Sequence, residues 1–140
     1  MQPGIGYALL SMFCAGFTSV IAKIGLTGIT GDLGLAIRTA FVFLFTMIFA
    51  AIVVPIKQLE TLTAHNVFWL GLSALTTTAS WIFYYRAIKV ADVSTVALID
   101  KGSVVVALGL AFWLLHEAIT PPKLIGAALI VVGLLVISRG

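Results

Sequence analysis

Charge is what this sequence has least of. Of its 140 residues only 9% are Asp, Glu, Lys or Arg, eight basic against five acidic. A soluble domain carries about 25% charged residues, because a folded chain must still present a wet surface. So little charge excludes that class. With 61% hydrophobic residues and a mean hydropathy of +1.20, the solvent over most of the exterior is lipid. Cysteine is nearly missing too. Cys14 stands alone, which excludes an intrachain disulfide framework and a thiolate metal cluster. No acidic residue occurs in Met1–Thr30, and Met1-Gln2-Pro3-Gly4 carries no basic side chain. Without a basic leader region, the first apolar run reads as a retained span, not a removed signal peptide. The net charge of +3 is spread too thinly for nucleic-acid binding; in a membrane chain its role is orientation. Catalytic patterns are also missing at membrane depth: no Ser/His, paired-carboxylate or HExxH arrangement. His65 and His116 fall in connections, and His116-Glu117 has no second ligand at helical spacing. The expectation is therefore no enzyme, no metal site and no cofactor.

What is present is a series of apolar runs. A bilayer core of about 30 Å needs roughly 20 apolar residues as helix. Five spans are expected, at about 5–24, 33–54, 67–88, 93–115 and 121–138, in one domain covering 1–140. The second stops at Pro55, and the fifth starts with Thr120 as N-cap and Pro121 at the first helical position. The connections are short, so the fold class is an all-α membrane protein, an antiparallel bundle of five transmembrane helices. One side of the membrane then holds Lys23, Arg38, Arg86, Lys89 and Arg139, the other Lys57 and Lys123. The excess of basic residues predicts the N-terminus out and the C-terminus in, with dual insertion left open by the small bias.

Against this background Asp100 and Lys101, side by side in VALIDKGSVVVALGL, stand out. Each costs about 2.5–3.5 kcal/mol at a helix centre, somewhat less at their depth. Adjacent helical residues point roughly 100° apart, so each is expected to need its own environment. Arg38 lies at a similar depth in the second span, and an Arg38–Asp100 pair is expected, with Lys101 facing water or a transported molecule. In the third span Thr77, Thr78, Trp81, Tyr84 and Tyr85 form one polar-aromatic face, as if lining a wet cavity. Each feature has a plainer alternative. Tyr84 and Tyr85 suit an interfacial belt, Lys23 and Arg38 suit snorkelling, and Asp100 with Lys101 suit helix locking. Asp100 is the one acidic residue well inside a span, hence the candidate for proton coupling. Gly102 and Gly109, and Gly126 and Gly133, recur seven apart as stripes for helix packing or for a dimer seam.

Over its whole length, and most sharply from Ala79 to Ile137, the chain resembles the drug/metabolite transporter superfamily, and specifically an EamA-type domain. The residues that carry the likeness are ASWIFYYRAIKVADVSTVALIDKGSVVVALGLAFWLLHEAIT followed by LIGAALIVVGLLVIS, with TSVIAKIGL and AIRTAF fitting more loosely. The Asp-Lys within helix four looks like the five-helix, half-size members. The resemblance implies one half of an inverted-repeat transporter, and so a likeness to a homodimer around a central cavity. It implies cavity positions at Trp81, Tyr84, Tyr85, Asp100 and Lys101, which join Arg38 and Thr78 from the reading of the spans, and a structural role for Glu117. The implied function is secondary transport, as an exporter working by alternating access across the cytoplasmic (inner) membrane. Its partners would be the lipid bilayer, a second copy and an anionic or zwitterionic small metabolite. A non-transporting membrane subunit or helper is the alternative. The small multidrug exporters of the same superfamily carry a glutamate in helix one; without an acidic residue in Met1–Thr30 that coupling chemistry does not transfer.

Overall fold

The computed structural model describes residues 3–139. Six α-helices follow one another: α1 Pro3–Gly25, α2 Gly31–Val53, α3 Ala64–Val90, α4 Val93–Asp100, α5 Ser103–Leu115 and α6 Pro121–Ile137, with a 3-10 turn at Ile56–Thr61 between α2 and α3. No strand occurs among the described residues. α1, α2, α3 and the run Val93–Leu115 are each long and apolar enough to cross a membrane, and α6 is a shorter apolar helix. The chain is a multi-pass membrane protein.

Two helices begin earlier than expected, each for a visible local reason. Thr30 accepts a hydrogen bond from the Leu33 amide at 3.2 Å and Asp32 sits in the first turn, so α2 starts at Gly31, not Leu33. Thr63 caps the Asn66 amide in the same way at 3.2 Å, drawing α3 back to Ala64. At α6 the expected Pro121 start holds and Thr120 has the extended cap backbone, but its side chain makes no capping bond.

The fourth span departs most from expectation. It is two helices, α4 and α5, with a turn at Lys101 and Gly102 between them. Around the turn the amides reach three residues back: Lys101 to Leu98, Gly102 to Ile99, Val104 to Lys101 and Val105 to Gly102, at 2.9–3.1 Å. That is 3-10 bonding, tighter than the α pattern and frequent where a helix is interrupted.

By contacts the chain divides into two compact units, through Val90 and from Ala91. In the first, α2 packs on α3. The buried hydrophobic residues among those described are Leu26, Leu35, Tyr85 and Ile88, all from the end of this unit where the α1–α2 turn meets the last turns of α3. Elsewhere large apolar side chains such as Phe13, Phe43, Leu70 and Phe83 lie exposed, as lipid-facing residues do. Gly28 makes the α1–α2 turn with a left-handed backbone, φ 77°. Gly31 lets α2 approach α3 closely: a Cβ there would lie 2.8 Å from the Tyr85 carbonyl oxygen. In the second unit α6 packs on both α4 and α5. Gly102 sits at the interruption, where a Cβ would meet Leu134 Cδ1 at 2.8 Å and the Ile99 carbonyl at 3.0 Å. At Gly109, Gly126 and Gly133 an added Cβ would meet nothing within 4 Å, so these three face open space.

Candidate functional site

At one end of the first unit, polar side chains tie the helices together. Four ties join α1 and α2 to the last turns of α3. Tyr84 donates its hydroxyl hydrogen to Ser19 Oγ at 2.7 Å, and Ser19 in turn donates to the Ala15 carbonyl at 3.2 Å. Arg86 forks onto Asp32, Nε to Oδ1 at 2.8 Å and Nη2 to Oδ2 at 3.2 Å. Two lysines exchange helix ends: Lys23 of α1 donates to the Ile88 carbonyl of α3, and Lys89 of α3 donates to the Leu26 carbonyl just past α1, the latter at 2.9 Å. The last carbonyls of a helix lack amide partners and carry the negative end of its dipole, so an ammonium group is well placed there. Snorkelling of Lys23 to the headgroups is therefore corrected: a carbonyl within reach takes the ammonium instead.

Beside these ties lies the grouping of greatest chemical interest. Arg38, two turns into α2, holds its guanidinium carbon 4.4 Å from the centroid of the Trp81 ring and 5.8 Å from that of Tyr85. A guanidinium so placed is held by the ring's negative face, and its N–H edges stay in plane, available to an acceptor. Arg38 Nη1 is buried and has no hydrogen-bond partner. The same side chain lines a pocket of about 560 Å³ bounded by α1, the α1–α2 turn, α2 and the Tyr85 ring. Its other walls are apolar, Ile21, Ile37, Phe41 and Phe45 among them. The pocket thus holds a guanidinium in an oily surround.

Of the expected cavity residues, Arg38, Trp81 and Tyr85 are thus brought together. Tyr84 turns to α1 and Ser19. Thr78 is exposed and donates its hydroxyl to the Ala74 carbonyl at 2.8 Å, as Thr77 does to Ser73 at 2.9 Å. Hydroxyls that bond back to their own helix are satisfied without water, so these two give no sign of a wet wall.

Asp100 and Lys101 lie in the second unit. Their expected independence is corrected. Lys101 Nζ stands 3.8 Å from Asp100 Oδ2, an ion pair between neighbours. The roughly 100° separation fixes only where neighbouring side chains leave the backbone, and the long lysine side chain reaches round to the carboxylate beside it. Both side chains remain about half exposed, 58% for Lys101 and 41% for Asp100. No group of three or more His, Cys, Asp or Glu able to hold a metal occurs among the described residues.

The Asp32–Arg86 fork and the exchanged lysines were missed in sequence. The fork had a signal: Asp32 follows the Thr30 cap and Arg86 closes α3, so hairpin counting puts both on one side. The lysine bonds had none, because a backbone carbonyl leaves no mark in a sequence.

Comparison with known proteins gives two matches. Residues 2–139 match the family described as EamA-like transporter family. A Sinorhizobium sp. protein described as "Uncharacterized transporter in cobO 3' region" is 34% identical over 135 residues, covering 94% of each chain. No solved structure matches.

Proposed function

The chain belongs to the EamA-like transporter family, and from that premise we propose that it is a secondary transporter exporting a small metabolite across the cytoplasmic membrane. It works as a homodimer by alternating access, each chain supplying one half of the pathway. The observation that carries this is the Arg38 guanidinium, stacked on Trp81 with its Nη1 buried and unpartnered, on a side chain that lines a 560 Å³ pocket. A charge kept inside a spanning segment marks a pathway by default, and the pocket falls within the roughly 300–1,000 Å³ usual for small ligands. The family and the transporter description of its relative point to transport rather than catalysis.

Asp100 is the proposed coupling group, with Lys101 as its neighbouring counter-charge and the 3-10 turn between α4 and α5 as the flexible point of the fourth span. The test is flux of a labelled metabolite mixture into proteoliposomes under an imposed pH gradient, for wild type, Asp100→Asn, Lys101→Ala and Arg38→Gln. Gradient-driven flux in wild type, loss of gradient dependence in Asp100→Asn and loss of flux in Arg38→Gln are expected. Wild-type behaviour of all three variants would overturn the assignment. The paired state of Asp100 and Lys101 favours a second reading, in which they only lock helices in a helper subunit. Cross-linking in native membranes separates the two: transport predicts a homodimer, a helper predicts a constant foreign partner.

A further inference from the structure

We propose that the pocket between α1 and α2 takes an amphipathic monoanion, its single acidic group on the Arg38 guanidinium and its apolar body along Ile21, Ile37 and Phe41; this rests on the transport reading and names the substrate class of its site. Three features of the pocket carry it.

The first is the count of charges. Arg38 is the one charged residue among those lining the pocket. One fixed cation compensates one anionic charge. A dianion such as a phosphate monoester would bring a second charge into an apolar surround without a counter-charge, which costs far more than one hydrogen bond returns. A cation would meet the guanidinium's repulsion.

The second is the unpaired donor. Trp81 covers a face of the guanidinium, and Asp32, the acidic residue in the first turn of α2, is already taken by Arg86. What Arg38 still offers is a buried N–H with no acceptor. A planar carboxylate approaching in the guanidinium plane is the group that matches such an edge.

The third is the wall. Ile21 and Ala22 from α1 and Ile37, Phe41 and Phe45 from α2 leave no further hydrogen-bonding side chain beside the Tyr85 phenol. A sugar or a peptide would lose its water there without replacement. A hydrocarbon or aromatic body gains by leaving water. Free organic acids and acidic lipids share this chemistry.

The test is calorimetric titration of the full chain in phosphatidylcholine nanodiscs. The probes are 3-phenylpropionate, its neutral amide, 3-phenylpropylamine, phenyl phosphate and acetate. We expect 3-phenylpropionate to bind about tenfold or more tighter than each of the others, the value of a charge-assisted bond in an apolar site. Arg38→Gln should bring the acid-to-amide ratio to about one while amide binding persists. Ala22→Phe, which fills the pocket from α1 and leaves the guanidinium in place, should weaken acid and amide alike. A ratio near one in wild type, a ratio kept in Arg38→Gln, or affinity untouched by Ala22→Phe would each overturn the proposal. Repeating the titration with phosphatidylglycerol in the nanodisc separates the two sources. Competitive weakening assigns the site to an acidic lipid, unchanged affinity to a free acid, and both retain the monoanion. Acid-selective binding without flux in proteoliposomes would sink the transport reading and leave this inference standing; flux without acid selectivity would do the reverse.

Discussion

At the scale of single residues, the polar groups of this chain work by finding an acceptor within lipid. Tyr84 shows it most simply, with its hydroxyl on Ser19 of α1. Tyr84→Phe should lower stability by about 1 kcal/mol, the usual worth of one such bond, read as a lower midpoint in a thermal scan of the protein in nanodiscs. His116 offers the opposite case. It closes α5 with a left-handed backbone, φ 53°, a conformation that costs a side chain about 1–2 kcal/mol and glycine almost nothing. His116→Gly should raise the thermal midpoint, and His116→Val, branched at Cβ, should lower it. Arg38 and Trp81 could be picked out in the sequence because polar and aromatic residues are scarce inside apolar runs. What each touches could not. Lys23 ends on a main-chain carbonyl and Thr78 on its own helix, and main-chain partners have no residue type by which to recognise them.

At the scale of helices, the long apolar runs of the sequence are helical, four of them long and apolar enough to cross a membrane, because about 20 apolar residues in a row have few uses other than crossing a bilayer. The starts of α2 and α3 were marked as well, since Thr30 and Thr63 are ordinary capping residues that precede the apolar runs. The interruption of the fourth span was not readable from periodicity. Val93–Leu115 is apolar on both sides of the turn, and the change is one of backbone bonding. Gly102, with no side chain between Leu134 and the Ile99 carbonyl, was its only trace. A sharper prediction belongs to α2 and α3. Gly31→Ala puts a methyl 2.8 Å from the Tyr85 carbonyl oxygen, backbone that cannot swing aside. It should destabilise by about 1–3 kcal/mol, as overpacking does, and loosen the Arg38–Tyr85 contact next to it. Gly109→Ala, in open space, is the control and should leave the midpoint unchanged.

At the scale of the whole molecule, the family match runs through nearly the entire chain, and residues 79–137 had already suggested it. That stretch was legible because an aromatic helix end, a short turn and a glycine-bearing last helix come in fixed order. The bilayer orientation rests on the basic residues alone. With Cys14 replaced by serine, cysteines placed at Thr61 and Lys89 should react with a membrane-impermeant maleimide from opposite sides, Thr61 from outside. Equal labelling of both from outside in intact cells would show dual insertion instead. One feature of the first unit also bears on how the chain is made. The partners in its four ties are 65, 65, 63 and 54 residues apart, and in every tie one of them belongs to the last two turns of α3. During synthesis α1 and α2 therefore enter the membrane with none of these bonds available to them. A chain truncated just short of Tyr84 and released should still be open to protease where one truncated past Val90 and released is closed, as if the final turns of α3 turned the key.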